Sequence, residues 1–192
     1  MTRMTKLVAL MLAGVLLFAL AGCGDQTKDA NAAIAAANEQ SKRYTELDNQ
    51  ISTLMDQAMA VDMTAEGVKP GIAAFDEASA KFEERKTVIA AIKAEFEKIA
   101  GYKVSEETKK YASQQVEIAT LLGQMDDLGL ELIASTKSLY ELVQSGSQDA
   151  AKAEELSKAI DDTSAKLTEI DAQVTEKQAA SDQYFIDAGL GQ

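Results

Sequence analysis

The 192 residues suffice for one domain with a substantial core. Acids number 31 and bases 19, a net charge of −12 that disfavours nucleic acid and unassisted binding to anionic lipid headgroups. There is no His, which removes the most common general base and transition-metal ligand. With no Trp, one Pro and 5% aromatics, the composition favours helix over sheet and leaves no catalytic or metal-binding constellation to name.

The chain opens Met1-Thr2-Arg3-Met4-Thr5-Lys6 and continues with an apolar run from Leu7 to Leu20. A basic start, a short hydrophobic stretch and small residues before a cleavage point are the marks of an export signal, expected to cover residues 1–22. Leu20, Ala21 and Gly22 precede Cys23, the only cysteine. The quartet resembles the bacterial lipobox, which implies recognition of Leu20-Ala21-Gly22 by signal peptidase II and a diacylglyceryl group on the Cys23 thiol. An uncleaved membrane helix is the competing account, since the uncharged run Leu7–Gly24 is 18 residues, at the lower limit for a span. Lipidation also gives a use to a lone thiol that export would otherwise expose to oxidation. Removal of the leader takes away Arg3 and Lys6 and moves the charge from −12 to −14.

Residues 23–29 then form a lipidated cysteine and a short polar linker, with residues 24 to 29 reaching on the order of 20 Å. The helical domain is expected to span 30–192. Its first segment, about Ala30 to Asp62, spaces Tyr44, Leu47, Ile51, Leu54, Ala58 and Val61 by threes and fours, one face of a helix. Gly67, Pro70 and Gly71 predict a loop between this helix and the next. The second segment, Ile72 to Ala100, carries Phe75, Ala78, Phe82, Arg85, Ile89, Ile92, Phe96 and Ile99 on one stripe. That stripe is core or, alternatively, a groove for a peptide or lipid.

Gly101 fits a positive-φ helix end, and Ser105-Glu106-Glu107 fits an N-cap followed by two acids at the positive end of a helix dipole. The third stripe reads Tyr111, Ile118, Leu122, Met125, Gly129, Leu132, Leu139 and Val143, up to Ser145-Gly146. Within it, Gly123 and Gly129 flank Asp126 and Asp127, either for close packing or as a hinge whose acids face a cation. The fourth segment, from about Ser147 to the mid-180s, shows Leu156, Ile160, Leu167, Ile170, Val174 and Tyr184. A more aromatic tail follows from Tyr184, Phe185 and Ile186, as an end cap or a docking strip.

The fold expected is all-α, an elongated antiparallel helical bundle or coiled coil of three to four long helices after a cleaved signal peptide. Seam positions such as Ala58, Ser79, Lys86 and Thr163 are small or polar, so its core should be thin. The acid pairs Glu83-Glu84, Glu106-Glu107, Glu154-Glu155 and Asp161-Asp162 lack the spacing of a calcium loop and are expected on solvated faces.

A lipobox followed by long acidic helices resembles the YkyA family of cell-wall-binding lipoproteins of Gram-positive bacteria. The correspondence runs through Leu47-Asp48-Asn49-Gln50-Ile51, Phe75 to Lys86 and Lys93 to Lys98. It implies attachment or proximity to the cell wall; taken with the lipobox and the absence of His, the expectation is a non-enzymatic, extracytoplasmic spacer or interaction module, lipid-anchored to the outer face of the cell membrane. No cofactor is implied. A cell-wall polymer or an envelope protein would be its partner, and the alternative is an extracytoplasmic binding protein for a basic or amphipathic peptide.

Overall fold

The computed structural model describes residues 26 to 190 and shows four helices and no strand among them. These are α1 (Thr27–Met59), α2 (Lys69–Ile99), α3 (Glu106–Gln144) and α4 (Ala150–Asp187). They hold 33, 31, 39 and 38 residues, or about 47 to 59 Å each at the α-helical rise, against a mean of about 11 or 12 residues in globular proteins. The protein is an all-α helical bundle.

Side chains that bond the backbone set the boundaries. The Ser105 hydroxyl accepts from the Thr108 amide at 3.2 Å, and the Asp149 carboxylate from the Lys152 amide at 2.9 Å, so each caps a helix start. α3 and α4 end in the same device, with Gly146 and Gly189 at φ of 66° and 64°. Ser147 N–H reaches Leu142 O, and Leu190 N–H reaches Phe185 O, which is the six-residue closure of a Schellman motif. Gly101 departs from its expected role. It is not among the positive-φ residues, and α2 closes instead with tight three-residue bonds from Gly101 to Lys98 and from Tyr102 to Ile99.

α1 begins and ends three residues earlier than its periodicity indicates, and α2 starts at Lys69 rather than Ile72. Pro70 is thus the second residue of α2. A helix has no intrahelical partner for the first-turn N–H groups, so the missing one costs nothing there. Gly71 follows because a Cβ would lie 2.8 Å from the Tyr140 ring and 2.9 Å from Ala58 O.

Within the described residues the chain divides into two compact units, each drawing one segment from every helix. The first comprises the stretch up to Glu46, Lys86–Gly123 and the part from Ala172 onward. It buries Ile34, Tyr44, Ile89, Ile92, Phe96, Ile118 and Leu122. Tyr111 lies between Phe96 and Phe185, with ring centroids 6.2 and 5.2 Å away. Leu190 is buried too, so the tail caps this unit, while Ile186 stays 68% exposed.

The second unit comprises Leu47–Arg85 and Gln124–Asp171. Its core joins Ile51, Ala58, Phe75, Ala78, Phe82, Ile133 and Tyr140. Tyr140 packs edge-on to Phe75 at 5.3 Å and donates its hydroxyl to Ala58 O at 3.1 Å, occupying a carbonyl in the last turn of α1. Phe75, Phe82, Ile89 and Phe96 are all buried, which makes their stripe core rather than groove. On α4 burial is confined to Leu156, Thr163, Val174 and Ser181, a narrow seam whose polar member Ser181 accepts from Gln115 Nε2 at 2.9 Å.

The two mid-helix glycines of α3 part company. A Cβ on Gly129 would lie 2.5 Å from Phe82 Cε1, whereas one on Gly123 meets nothing within 4 Å. Gly123→Ala should therefore stabilise the protein by about 1 kcal/mol through helix propensity alone. Gly129→Ala should destabilise it by about 1 to 3 kcal/mol, because the buried ring must move. Urea denaturation of both variants checks the contrast; equal shifts of one sign would contradict it.

Candidate functional site: a buried arginine held by two aspartates

Leu20, Ala21, Gly22 and Cys23 lie outside the described residues. Of the four acid pairs, Glu84 is half-buried and the other seven residues are exposed, as expected of solvated faces. Among the described residues no group of three or more His, Cys, Asp or Glu could hold a metal ion.

What the structure brings together is a charge cluster in the second unit. Arg85 of α2 and Asp126 of α3 are buried, with side chains 6% and 0% exposed. Arg85 Nε donates to Asp126 Oδ1 at 3.0 Å and Oδ2 at 3.2 Å, and Nη2 to Oδ1 at 2.5 Å. Its third nitrogen, Nη1, donates to Asp48 Oδ1 of α1. One guanidinium thus ties three helices, using the planar fork that lysine lacks.

Local geometry explains how the cation is accommodated. Phe82 and Arg85 are three apart on α2, and Asp126 and Gly129 are three apart on α3, so each pair shares a helix face. Gly129 leaves room for the Phe82 ring, and the Arg85 guanidinium carbon sits 4.8 Å above that ring's centroid. Asp126 completes the interlock.

This cluster also corrects the α3 stripe. Within the second unit the buried residues of α3 are Asp126, Gly129, Ile133, Thr136 and Tyr140. The inward face is one residue further along than Met125, Leu132 and Leu139, which are half-buried. Asp126 claims an inward position that apolar patterning assigns to its neighbour. Arg85 stood on the α2 stripe in the sequence, and that one cation among apolar positions was the signal for a buried anionic partner. The two accounts of Gly123 to Gly129 divide accordingly: Gly129 serves packing, and Asp126 does face a cation, supplied by the protein itself.

Two carboxylates share one cation, so the cluster carries an excess negative charge. Burial pushes the carboxyls of Asp48 and Asp126 above their ordinary 3.8, with Arg85 opposing the rise in both. Folded protein then holds more protons than unfolded protein between 3.8 and the raised values. Its stability must fall as pH rises through that window and recover as pH drops. The Arg85 guanidinium and the carboxylates of Asp48 and Asp126 are turned toward one another. The cluster's geometry, one cation bonded to carboxylates on two other helices, is that of a register lock.

Thermal melts should show Tm falling as pH rises from about 4, at the foot of that window, to about 7.5. Asp48→Asn, which leaves one carboxylate per guanidinium, should flatten the difference. Asp126→Ala should cost about 3 kcal/mol at neutral pH by stripping the buried cation of its closest partner. A pH profile unchanged by Asp48→Asn would contradict the assignment of excess charge. No protein-family model, curated protein or solved structure matches this chain.

Proposed function

We propose that this protein is a bacterial lipoprotein, anchored through Cys23 to the outer face of the cell membrane, whose helical body is a non-enzymatic spacer or interaction module of the envelope. The observation that carries this reading is Leu20-Ala21-Gly22-Cys23 directly after a basic start and an apolar run. Two acyl chains on one cysteine anchor a protein stably, so the acidic body need not be attracted to the membrane. No helix among the described residues is long and apolar enough to cross a membrane, and the reading assigns anchorage to the lipid.

The non-enzymatic part of the reading rests on the absence of His from the sequence and on the internal use of the buried charges. The YkyA-like text in α1 and α2 directs the module toward the cell wall. Wall polymers and the protein are both anionic, so direct contact would need bridging divalent cations. A second reading, a binding protein for a basic or amphipathic peptide, draws on the same acidity, including the exposed pairs on α3 and α4.

Cys23→Ser should abolish incorporation of labelled fatty acid and release the protein from the membrane fraction or leave it unprocessed. Unchanged size and fractionation would refute the anchor. With isolated walls, the detergent-solubilised protein should co-sediment only with magnesium present, and less so at higher salt. A thermal shift with a basic peptide and no wall binding would favour the second reading.

A further inference from the structure

We infer that the end of the first unit formed by the α2–α3 loop and the C-terminus of α4 is a membrane-contacting surface that rests on the lipid bilayer's headgroup region. This rests on the lipid anchor proposed at Cys23. Its geometry comes from the position of Gln26, whose side-chain oxygen accepts from the Lys103 backbone N–H at 2.8 Å. Gln26 is three residues beyond Cys23. A chain spans at most about 3.6 Å per residue, so with the glutamine side chain the loop can lie no farther than about 15 Å from the anchor point. α1 begins at Thr27, so no long linker intervenes to let this end leave the bilayer.

The exposed chemistry suits that position. Ile186 is 68% exposed, the largest exposure among the exposed large hydrophobic residues described. Tyr184 on the same last turns of α4 is half-buried, with Lys110 Nζ 4.5 Å above its ring, and Tyr102 is half-buried in the loop. Tyrosine places an apolar ring and a polar hydroxyl at the headgroup level, and lysine extends its ammonium toward phosphate. Lys28 and Lys103 are exposed on the same end and form no ion pair among the described residues. Glu106 and Asp187 lie close in sequence to these groups, so the contact depends on shallow insertion of Ile186 and the tyrosines rather than on net positive charge. A single exposed isoleucine would not bind a membrane alone. Beside two acyl chains it needs only to orient a body already held there.

The test uses the full lipidated protein carrying Ile186→Cys or Ala172→Cys, each labelled with an environment-sensitive fluorophore; the native cysteine is consumed by its lipid. Ala172 is exposed on α4 and 14 residues before Ile186, about 21 Å back along the helix. The proteins are reconstituted on vesicles of phosphatidylglycerol and phosphatidylethanolamine containing nitroxide-labelled lipid. The expected result is a blue shift and quenching at 186, with neither at 172. Co-flotation without quenching at 186 overturns the surface while leaving the anchor intact, and equal quenching at both positions overturns an end-on contact. Failure to float overturns the anchor itself, and with it the surface.

Discussion

The guanidinium of Arg85 is the constraint on which the second unit's packing turns. A buried ion pair is a poor source of net stability, because the desolvation of its charges offsets their attraction. Its effect lies in the asymmetry between right and wrong registers. If α3 slid or rotated by one residue, Asp126 would leave Arg85 and a buried cation would lose its closest partner, which costs several kcal/mol. The same slip would bring a Cβ to where Gly129 lets the Phe82 ring approach α3. Ala, Leu and Ile positions by themselves penalise such a slip weakly, since one small apolar side chain replaces another. A bundle with long helices and many alanines needs a directional contact to choose among nearly equivalent packings, and Asp48–Arg85–Asp126 supplies one.

That same contact marks the limit of what patterning could disclose. The all-α class, the great length of the helices, the Ser105 cap and the burial of the phenylalanine stripe were legible because apolar periodicity and capping chemistry are local. On α3, Ile118, Leu122 and Gly129 are buried as the stripe indicated, but Met125, Leu132 and Leu139 each sit one residue short of the inward face, because polarity alone assigns Asp126 outward. The start of α1 was equally opaque: Ala30, Ala33 and Ala37 are buried, yet they lie among other alanines and give little contrast. Gly101 resembled a positive-φ terminus, but a tight three-residue closure ends α2 without one. The division into two compact units has no counterpart in the loops or composition, because its boundaries fall inside helices.

The functional signal is distributed differently from the structural one. On the proposed reading, placement rests on a four-residue text before the helices, while the helices bear a buried core and an acidic exterior. Net charge keeps such a body apart from anionic polymers unless cations intervene. The charge cluster is turned inward, so on the proposed reading a partner would meet the outer faces or the end nearest Gln26. Wall contact and peptide binding would both use exposed acids, so the chemistry of the partner, and not the fold, distinguishes them.

The most direct measurement of the register claim is a heteronuclear NMR spectrum of the variant Asp48→Leu, Arg85→Met, Asp126→Leu beside that of the unaltered protein. Removal of all three charges relieves desolvation, so helix content and thermal stability should persist or rise. The account predicts that the second unit nevertheless loses its single set of sharp, dispersed amide resonances as competing registers become populated. A variant with one well-resolved set of resonances throughout that unit would show that apolar packing alone selects the register, and would contradict the account.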